Sequence, residues 1–400
     1  MIDKKYRNDF PLLCKENPPI FFDNACMTLK PNVVIDSMTE YYRDYPVCEG
    51  RSGHSMALRL NSAMIASRKA MQQYIGASHH TEVAFTKNTS ESLNIVASGI
   101  DWKKGDVMLV SDKEHNSNFL PWQCLREIGV HVEVVPSNEN GLFSIDNWKH
   151  AIEEHKPRLL TCYMTSNLDG ETTPVAKLCD IAKKHGTLTC IDGAQGAAHQ
   201  EINVQEVDCD FLALSVHKMV GPTGVGILYG KMDKLKELKP LLRGGGTVVN
   251  VTYDKTDYID PPRRFEAGLQ NYAGIVGTKY AAEYILNIGR KEIHEHEIKL
   301  SERLQEQILK LPGVSILGPQ NPEDRGGITS IMVDGYNVTD LAMALDEMAG
   351  VIMRAGVHCV HGFLNSRCIK GTLRVSTYLY NTIEEIDKFS ATLKEILTEE

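Results

Sequence analysis

Short apolar runs recur through the middle of the chain, at residues 107–110, 130–135, 158–164, 187–191, 211–214 and 225–229. Runs that are apolar throughout, rather than alternating, read as strands buried on both faces. Between several of them, at 145–155 and 175–185, apolar residues recur at the helical period. Buried strands separated by amphipathic helices predict an α/β fold with a mostly parallel sheet. Helical patterning resumes at 273 and continues to about 311, dense in charge over 292–306, as an arm leading out of the sheet domain. After Pro312-Gly313 the pattern changes. Strands are predicted at 314–317, 328–333, 352–354 and 372–375, and helices at 338–348 and 383–397, giving a small α+β domain. The division expected is an N-terminal segment, 1–20, packing with the small domain; a large domain, 21–285; and a small C-terminal domain, 286–400.

Composition narrows this picture. A chain of 400 residues suits two or three domains of roughly 100–200 residues each. With 42% hydrophobic and 24% charged residues, it is neither disordered, collagenous nor a coiled-coil rod. A net charge of −9 argues against a nucleic-acid partner. No apolar run reaches the roughly 20 residues that cross a membrane, and the polar N-terminus has no signal-like apolar region. Ten cysteines are scattered without a CxxC pair, several in apolar runs, such as Cys162 and Cys190. That usage points to a reducing, cytoplasmic setting.

Three segments carry candidate chemistry. In Ser215-Val216-His217-Lys218, followed by Gly221-Pro222-Thr223-Gly224-Val225-Gly226, a lysine follows a buried strand and opens a glycine-rich loop. Alone it reads as a solvated strand-end lysine, and the glycines lack the strand-to-helix context of a dinucleotide site. In Cys190-Ile191-Asp192-Gly193-Ala194-Gln195, an aspartate ends an apolar strand, where open sheets place ligands. Alone it is a turn residue. In Thr86-Lys87-Asn88-Thr89-Ser90-Glu91, hydroxyls and backbone N–H groups open a helix, an anion site or an ordinary cap. Together they are a lysine, a partner for a pyridine nitrogen and a phosphate cup, the parts a pyridoxal 5'-phosphate site needs.

With those parts in view, the chain resembles fold-type I pyridoxal-phosphate enzymes of the class V aminotransferase group, and within it the cysteine desulfurase and selenocysteine lyase family. The resemblance runs from about residue 21 to 381. Phe22-Asp23-Asn24-Ala25 is similar to the family's opening motif, with Cys26 where a second alanine is usual. Arg51-Ser52-Gly53-His54 resembles a substrate-side loop ending in histidine. The resemblance implies phosphate contacts from Thr89, Ser90, Ser215 and His217, with Lys218 as the Schiff-base lysine. It implies that His115, in Glu114-His115-Asn116-Ser117-Asn118, stacks on the cofactor ring and assists proton transfer. Asn167 and Gln195 would lie near the ring hydroxyl and Asp192 at the ring nitrogen. His54, Asn167, Arg354 and Arg374 would face substrate, Arg374 clamping its carboxylate.

A cysteine separates desulfurases from their relatives. Arg354-Ala355-Gly356-Val357-His358-Cys359 is similar to the catalytic-cysteine loop, and the short stretch from Cys359 to Arg374 resembles the second, Suf-type desulfurase group. The polar, glycine-containing surroundings of Cys359 disfavour a buried structural thiol. The spacing of His358, Cys359, His361 and Cys368 is not that of a structural zinc site, so no metal is expected. Departures are Leu269, where a threonine usually reaches phosphate across a dimer, with Gln270 as the alternative donor, and Val357 and Val360-His361 beside the cysteine. The resemblance implies a homodimer that takes sulfur from L-cysteine, leaves L-alanine, and passes a Cys359 persulfide to an acceptor protein or thiol, as in iron–sulfur cluster assembly. Selenocysteine cleavage, another C–S lyase reaction or transamination on the same scaffold are the alternatives. His358 is the nearest group in sequence to activate Cys359.

Overall fold

The computed structural model describes residues 2, 4–50 and 52–398. A seven-stranded sheet is built from Val83–Thr86 (β1), Val107–Ser111 (β2), His131–Val135 (β3), Leu159–Tyr163 (β4), Leu188–Asp192 (β5), Phe211–Ser215 (β6) and Gly226–Gly230 (β7). Its order is β1-β7-β6-β5-β4-β2-β3. The pairs from β3 to β6 are parallel; β7 runs antiparallel to both β6 and β1.

Every residue of β6 is buried, and the run divides between two cores. Leu212 and Leu214 pack with one cluster, Phe211 and Ala213 with the other. That is why the run is apolar throughout. One face is covered by the helices Ser55–Ile75, Ile145–His155, Val175–Lys184 and Tyr272–Ile288, the other chiefly by Thr89–Gly99. Six of the seven strands lie where the apolar runs placed them. The seventh, Val-Ala-Phe-Thr in β1, is four buried residues with no periodicity to read.

A second sheet, from Val314–Leu317 (β8), Ile328–Val333 (β9), Arg354–Gly356 (β10) and Thr372–Ser376 (β11), has the order β8-β9-β11-β10. It packs with Arg290–Ile308, Val338–Ala349 and Ile383–Thr398 around its own core of Leu300, Ile331, Leu345, Leu373 and Phe389.

Two boundaries differ from expectation. The helical pattern from 273 to 311 is two helices, because Gly289, at φ 99°, breaks it with a backbone that residues bearing a Cβ rarely adopt. The strand expected at 352–354 is also two pieces: Val351–Ile352 pairs with Ile20–Phe21, and β10 pairs with β11. The N-terminal segment divides as well. Ile20 joins the smaller core, and Lys4 and Arg7 pair with Glu384 and Glu385, whereas Phe10 and Leu13 join the larger core. Among the described residues no helix is long and apolar enough to cross a membrane.

Candidate active site

Tyr163, Asp192 and Ser215 are the last residues of three neighbouring parallel strands, and a cavity of about 290 Å³ opens at that edge of the sheet. Ligands of open α/β sheets bind there because the loops diverge beyond the strand ends.

One corner is an anion cup. Asn88 caps the helix Thr89–Gly99, its Oδ1 accepting from Glu91 N at 3.0 Å, which fixes the helix N-terminus at the cavity edge, where it favours an anion. Thr89 N and Oγ1 lie 3.0 and 2.7 Å from Ser215 Oγ, and Ser90 Oγ lies 2.6 Å from Ser117 Oγ. His217 completes this wall. Burial, with the charges of Lys218 and Lys30, lowers His217 to about 4. The cup depends on Gly226, where a Cβ would come within 2.5–2.7 Å of the Asn88 backbone.

In the middle of the cavity stand Lys218, Asp192, Gln195 and His115. Burial lowers the Lys218 amine, with Asp192 opposing, and raises Asp192, with Ala194 N–H and Lys218 opposing. Gln195 donates to Ala25 O at 2.7 Å, while its buried Oε1 has no protein partner. His115 Nδ1 accepts from Ser117 N at 3.0 Å, which puts the proton of the neutral ring on Nε2. Burial, then the charges of Lys218 and Arg374, lowers His115 to about 3. The next residue back, Glu114, ties this loop to β4 by accepting from Tyr163 N at 3.0 Å and Asn118 Nδ2 at 2.8 Å. These groups fit pyridoxal phosphate: an anion cup, a lysine with a depressed pKa, a buried carboxyl for the ring nitrogen and an orphan acceptor for the ring hydroxyl.

The third corner carries charge and a thiol. Arg374 on β11 faces Arg354 on β10. Asp23 bridges them, accepting from Arg354 Nη2 at 3.0 Å and Arg374 Nη2 at 3.4 Å. Arg374 also donates from Nη1 to Asn167 O at 2.8 Å, and its buried Nε is unpartnered. A guanidinium held this way can take a carboxylate.

Cys359 lies on an exposed turn in which His358 and Cys359 both have left-handed backbone, φ 50° and 59°. Such conformations cost roughly 1–3 kcal/mol each and persist only where the surroundings hold them. Here Asn167 Nδ2 donates to His358 O and Asn116 N to Cys359 O, both at 2.8 Å. The Asn167 turn is pinned in its turn by buried Lys113, which reaches Asp169 at 2.7 Å and Glu171 at 2.5 Å. Burial works to lower Lys113, and the two carboxylates outweigh it, so its pKa is raised.

The structure therefore brings twelve of the thirteen expected site residues to one cavity. The exception is His54, which caps Ser55–Ile75 by accepting from Ala57 N and is not among the lining residues. Arg51 of the same motif lies outside the described residues. The expectation for His358 is corrected. Its Nε2 turns inward to Thr372, 3.1 Å from O and 2.9 Å from Oγ1. Burial, followed by the charge of Arg374, lowers it to about 3, so it is no cation for Cys359. Its neutral form is favoured by folding. The stability it contributes is full above about 6.5, the ordinary value, and is lost as pH falls towards 3. Imidazole ¹⁵N shifts of His358 should stay at neutral-ring values from pH ~8 down to ~5; titration near the ordinary value would contradict this burial. Sequence reasoning missed Tyr163, Thr165 and Lys113, buried polar groups whose roles are set by three-dimensional neighbours, and did not single out half-buried Asn88 within the segment it read as a cap or anion site. Cys26, noted only as a departure, also lines the cavity.

Fold and cavity together define a lysine-centred site with a phosphate cup at the strand ends, the kind that holds a pyridoxal cofactor. The chain belongs to the aminotransferase class-V family, whose sequence model matches residues 20–389. A probable cysteine desulfurase of Methanothermobacter thermautotrophicus is 38% identical over 98% of this chain and 97% of its own length. The apo structure of the cysteine desulfurase from Thermococcus onnurineus superposes with a TM-score of 0.95 at 35% identity, covering 100% of this chain and 99% of that one. The cysteine desulfurase CsdA from Escherichia coli gives 0.91 at 29% identity, covering 100% of both chains.

Proposed function

We propose that this chain is a pyridoxal-phosphate-dependent cysteine desulfurase that converts L-cysteine to L-alanine and leaves the sulfur as a persulfide on Cys359. The observation that carries the reading is that Lys218, Asp192, Arg374 and Cys359 wall one cavity. Thr89, Ser90, Ser215 and His217 would hold the phosphate, Lys218 would hold the cofactor covalently, Asp192 would pair with the ring nitrogen, Gln195 and Asn167 would serve the ring hydroxyl, and neutral His115 would cover the ring. When bound, the cofactor supplies an electron sink for charge developing at the substrate α-carbon.

Arg374, steadied by Asp23 and Asn167, takes the substrate carboxylate, with Arg354 beside it. Lys218 Nζ removes the α-proton. The Cys359 thiolate attacks the substrate sulfur, so an S–S bond forms as the carbon–sulfur bond breaks. His115 Nε2–H is placed to move protons over the ring. Cys359 is exposed, which suits delivery of its sulfur to an acceptor protein or thiol. A lysine-bound pyridoxal absorbance band in the purified protein, bleached by borohydride, together with alanine formation from L-cysteine, tests the reading. Absence of the band from protein purified with the cofactor present would overturn it.

The working form is a homodimer. Val249, Val251, Tyr253 and Leu269 are exposed apolar side chains on and near the hairpin Val248–Val251/Thr256–Tyr258, which suits a surface covered by a second copy. Leu269 is outside its own chain's cavity, and Gln270 donates to Ala267 O and Gly268 O. If the segment reaches the partner's phosphate cup, Leu269→Thr adds a hydroxyl donor there and should raise cofactor affinity. Light scattering should give twice the chain mass; a monomer at concentrations where the enzyme turns over would contradict this.

A further inference from the structure

Two thiols face the cavity. Cys26 lines it together with Cys359, at a position where the family's motif usually has alanine. Its turn is fixed: Cys26 N donates to Asp23 O at 3.1 Å, Ala25 N to Ser376 Oγ at 3.0 Å and Gln195 Nε2 to Ala25 O at 2.7 Å. Arg354 Nη2 donates to Cys26 Sγ at 3.0 Å, and Arg354 stands on the strand that leads into the Cys359 turn. The space they border is polar ligand space. Gln195 Oε1 and Arg374 Nε are unpartnered on lining side chains only 2% and 3% exposed.

We propose that Cys26 is a second sulfur-carrying thiol of this site, taking the sulfane sulfur from Cys359 when no external acceptor is present. The inference rests on Cys359 accepting sulfur from cysteine. The Cys26 thiolate attacks the outer sulfur of Cys359–S–SH, and the proton given up by Cys26 is returned to the departing Cys359 sulfur. A Cys26–sulfur bond forms, the Cys359 S–S bond breaks, and its electron pair leaves on Cys359 as a thiolate. Nothing is oxidised or reduced overall, and no further reactant is needed. Arg354 is placed to hold charge on the Cys26 sulfur as it moves. Cys26 is half-buried and Cys359 exposed, so the transfer moves sulfur inward and frees Cys359 for another turnover.

The test uses holoenzyme with about three equivalents of L-cysteine per chain and no other thiol or reductant, so that free thiol does not strip the persulfides, quenched early, alkylated, digested and mapped by mass spectrometry, with alanine counted per chain. The parent should carry persulfide on both Cys26 and Cys359 and release about two alanines per chain before stalling, one for each thiol filled. Cys26→Ala and Cys26→Ser should carry it on Cys359 alone and stall after about one. Cys359→Ser should carry none on Cys26. Sulfur confined to Cys359 in the parent would overturn the relay and leave the desulfurase reading standing. A Cys26–Cys359 disulfide with free sulfide, or persulfide on Cys26 in Cys359→Ser, would also overturn the relay. No sulfur on either cysteine would overturn both readings.

Discussion

Replacing Cys359 by serine should abolish desulfuration while leaving the cofactor site intact. Lys218, Asp192, Gln195 and the Thr89–Ser90 cup are carried by the strand ends and first helical turn of the large sheet, and Cys359 by a separate exposed turn. The variant should therefore keep the pyridoxal absorbance and still change its spectrum when cysteine binds through Arg374. Alanine and sulfide production should fall by at least ~10³-fold, because a serine hydroxyl cannot take a sulfur atom as a thiolate does. Selenocysteine, whose selenium leaves more easily, is the substrate on which the variant should retain most activity. Replacing Cys368, exposed just after the helix His361–Ser366 in the chain and absent from the cavity wall, should change little. If Cys359→Ser released sulfide from cysteine at the parent rate, a Cys359 persulfide would be excluded and β-elimination would become the leading reading.

Lys218→Ala should remove the covalent cofactor link and reduce turnover by at least ~10³-fold, since one side chain both holds the cofactor and moves the α-proton. The surroundings of Lys113 and Lys218 push them in opposite directions. Lys113 is locked by Asp169 and Glu171, which keep it protonated and bonded. Lys218 has burial working against its charge, which favours the free amine that a nucleophile and base require. Borohydride reduction of the parent followed by peptide mapping should put the pyridoxyl group on Lys218. A label on Lys113, or on any other lysine, would remove the cofactor assignment.

How much of this was legible in the sequence follows from what periodicity and spacing encode. The two-sided strands, such as Phe211–Ser215, show themselves because both neighbouring layers demand apolar side chains. Val83–Thr86 escaped because four residues hold no period. The break at Gly289 is a single backbone angle inside an unbroken apolar pattern. The site was legible where segments that are ambiguous singly occur together, as with Lys218, Asp192 and the Thr89–Ser90 turn. It was illegible where function depends on direction. His358 precedes Cys359 in the chain, yet two successive left-handed residues turn its ring inward to Thr372. Asn167, expected as a ring contact, is a clamp in the structure, its Nδ2 holding His358 O and its backbone O accepting from Arg374. Lys113, between Asp112 and Glu114, reads as a loop lysine, and only the fold brings Asp169 and Glu171 to it. The Asp23 carboxylate bridging Arg354 and Arg374 likewise needs β10 and β11 side by side.

The central claim is that sulfur leaves cysteine by attack of Cys359, with the carbon skeleton released as alanine. The most direct measurement is a product assay of the holoenzyme with L-cysteine and dithiothreitol, quantifying alanine, sulfide, pyruvate and ammonia together. Equal amounts of alanine and sulfide, both lost in Cys359→Ser, are the predicted result. Sulfide accompanied by pyruvate and ammonia instead of alanine, unchanged in Cys359→Ser, would contradict it.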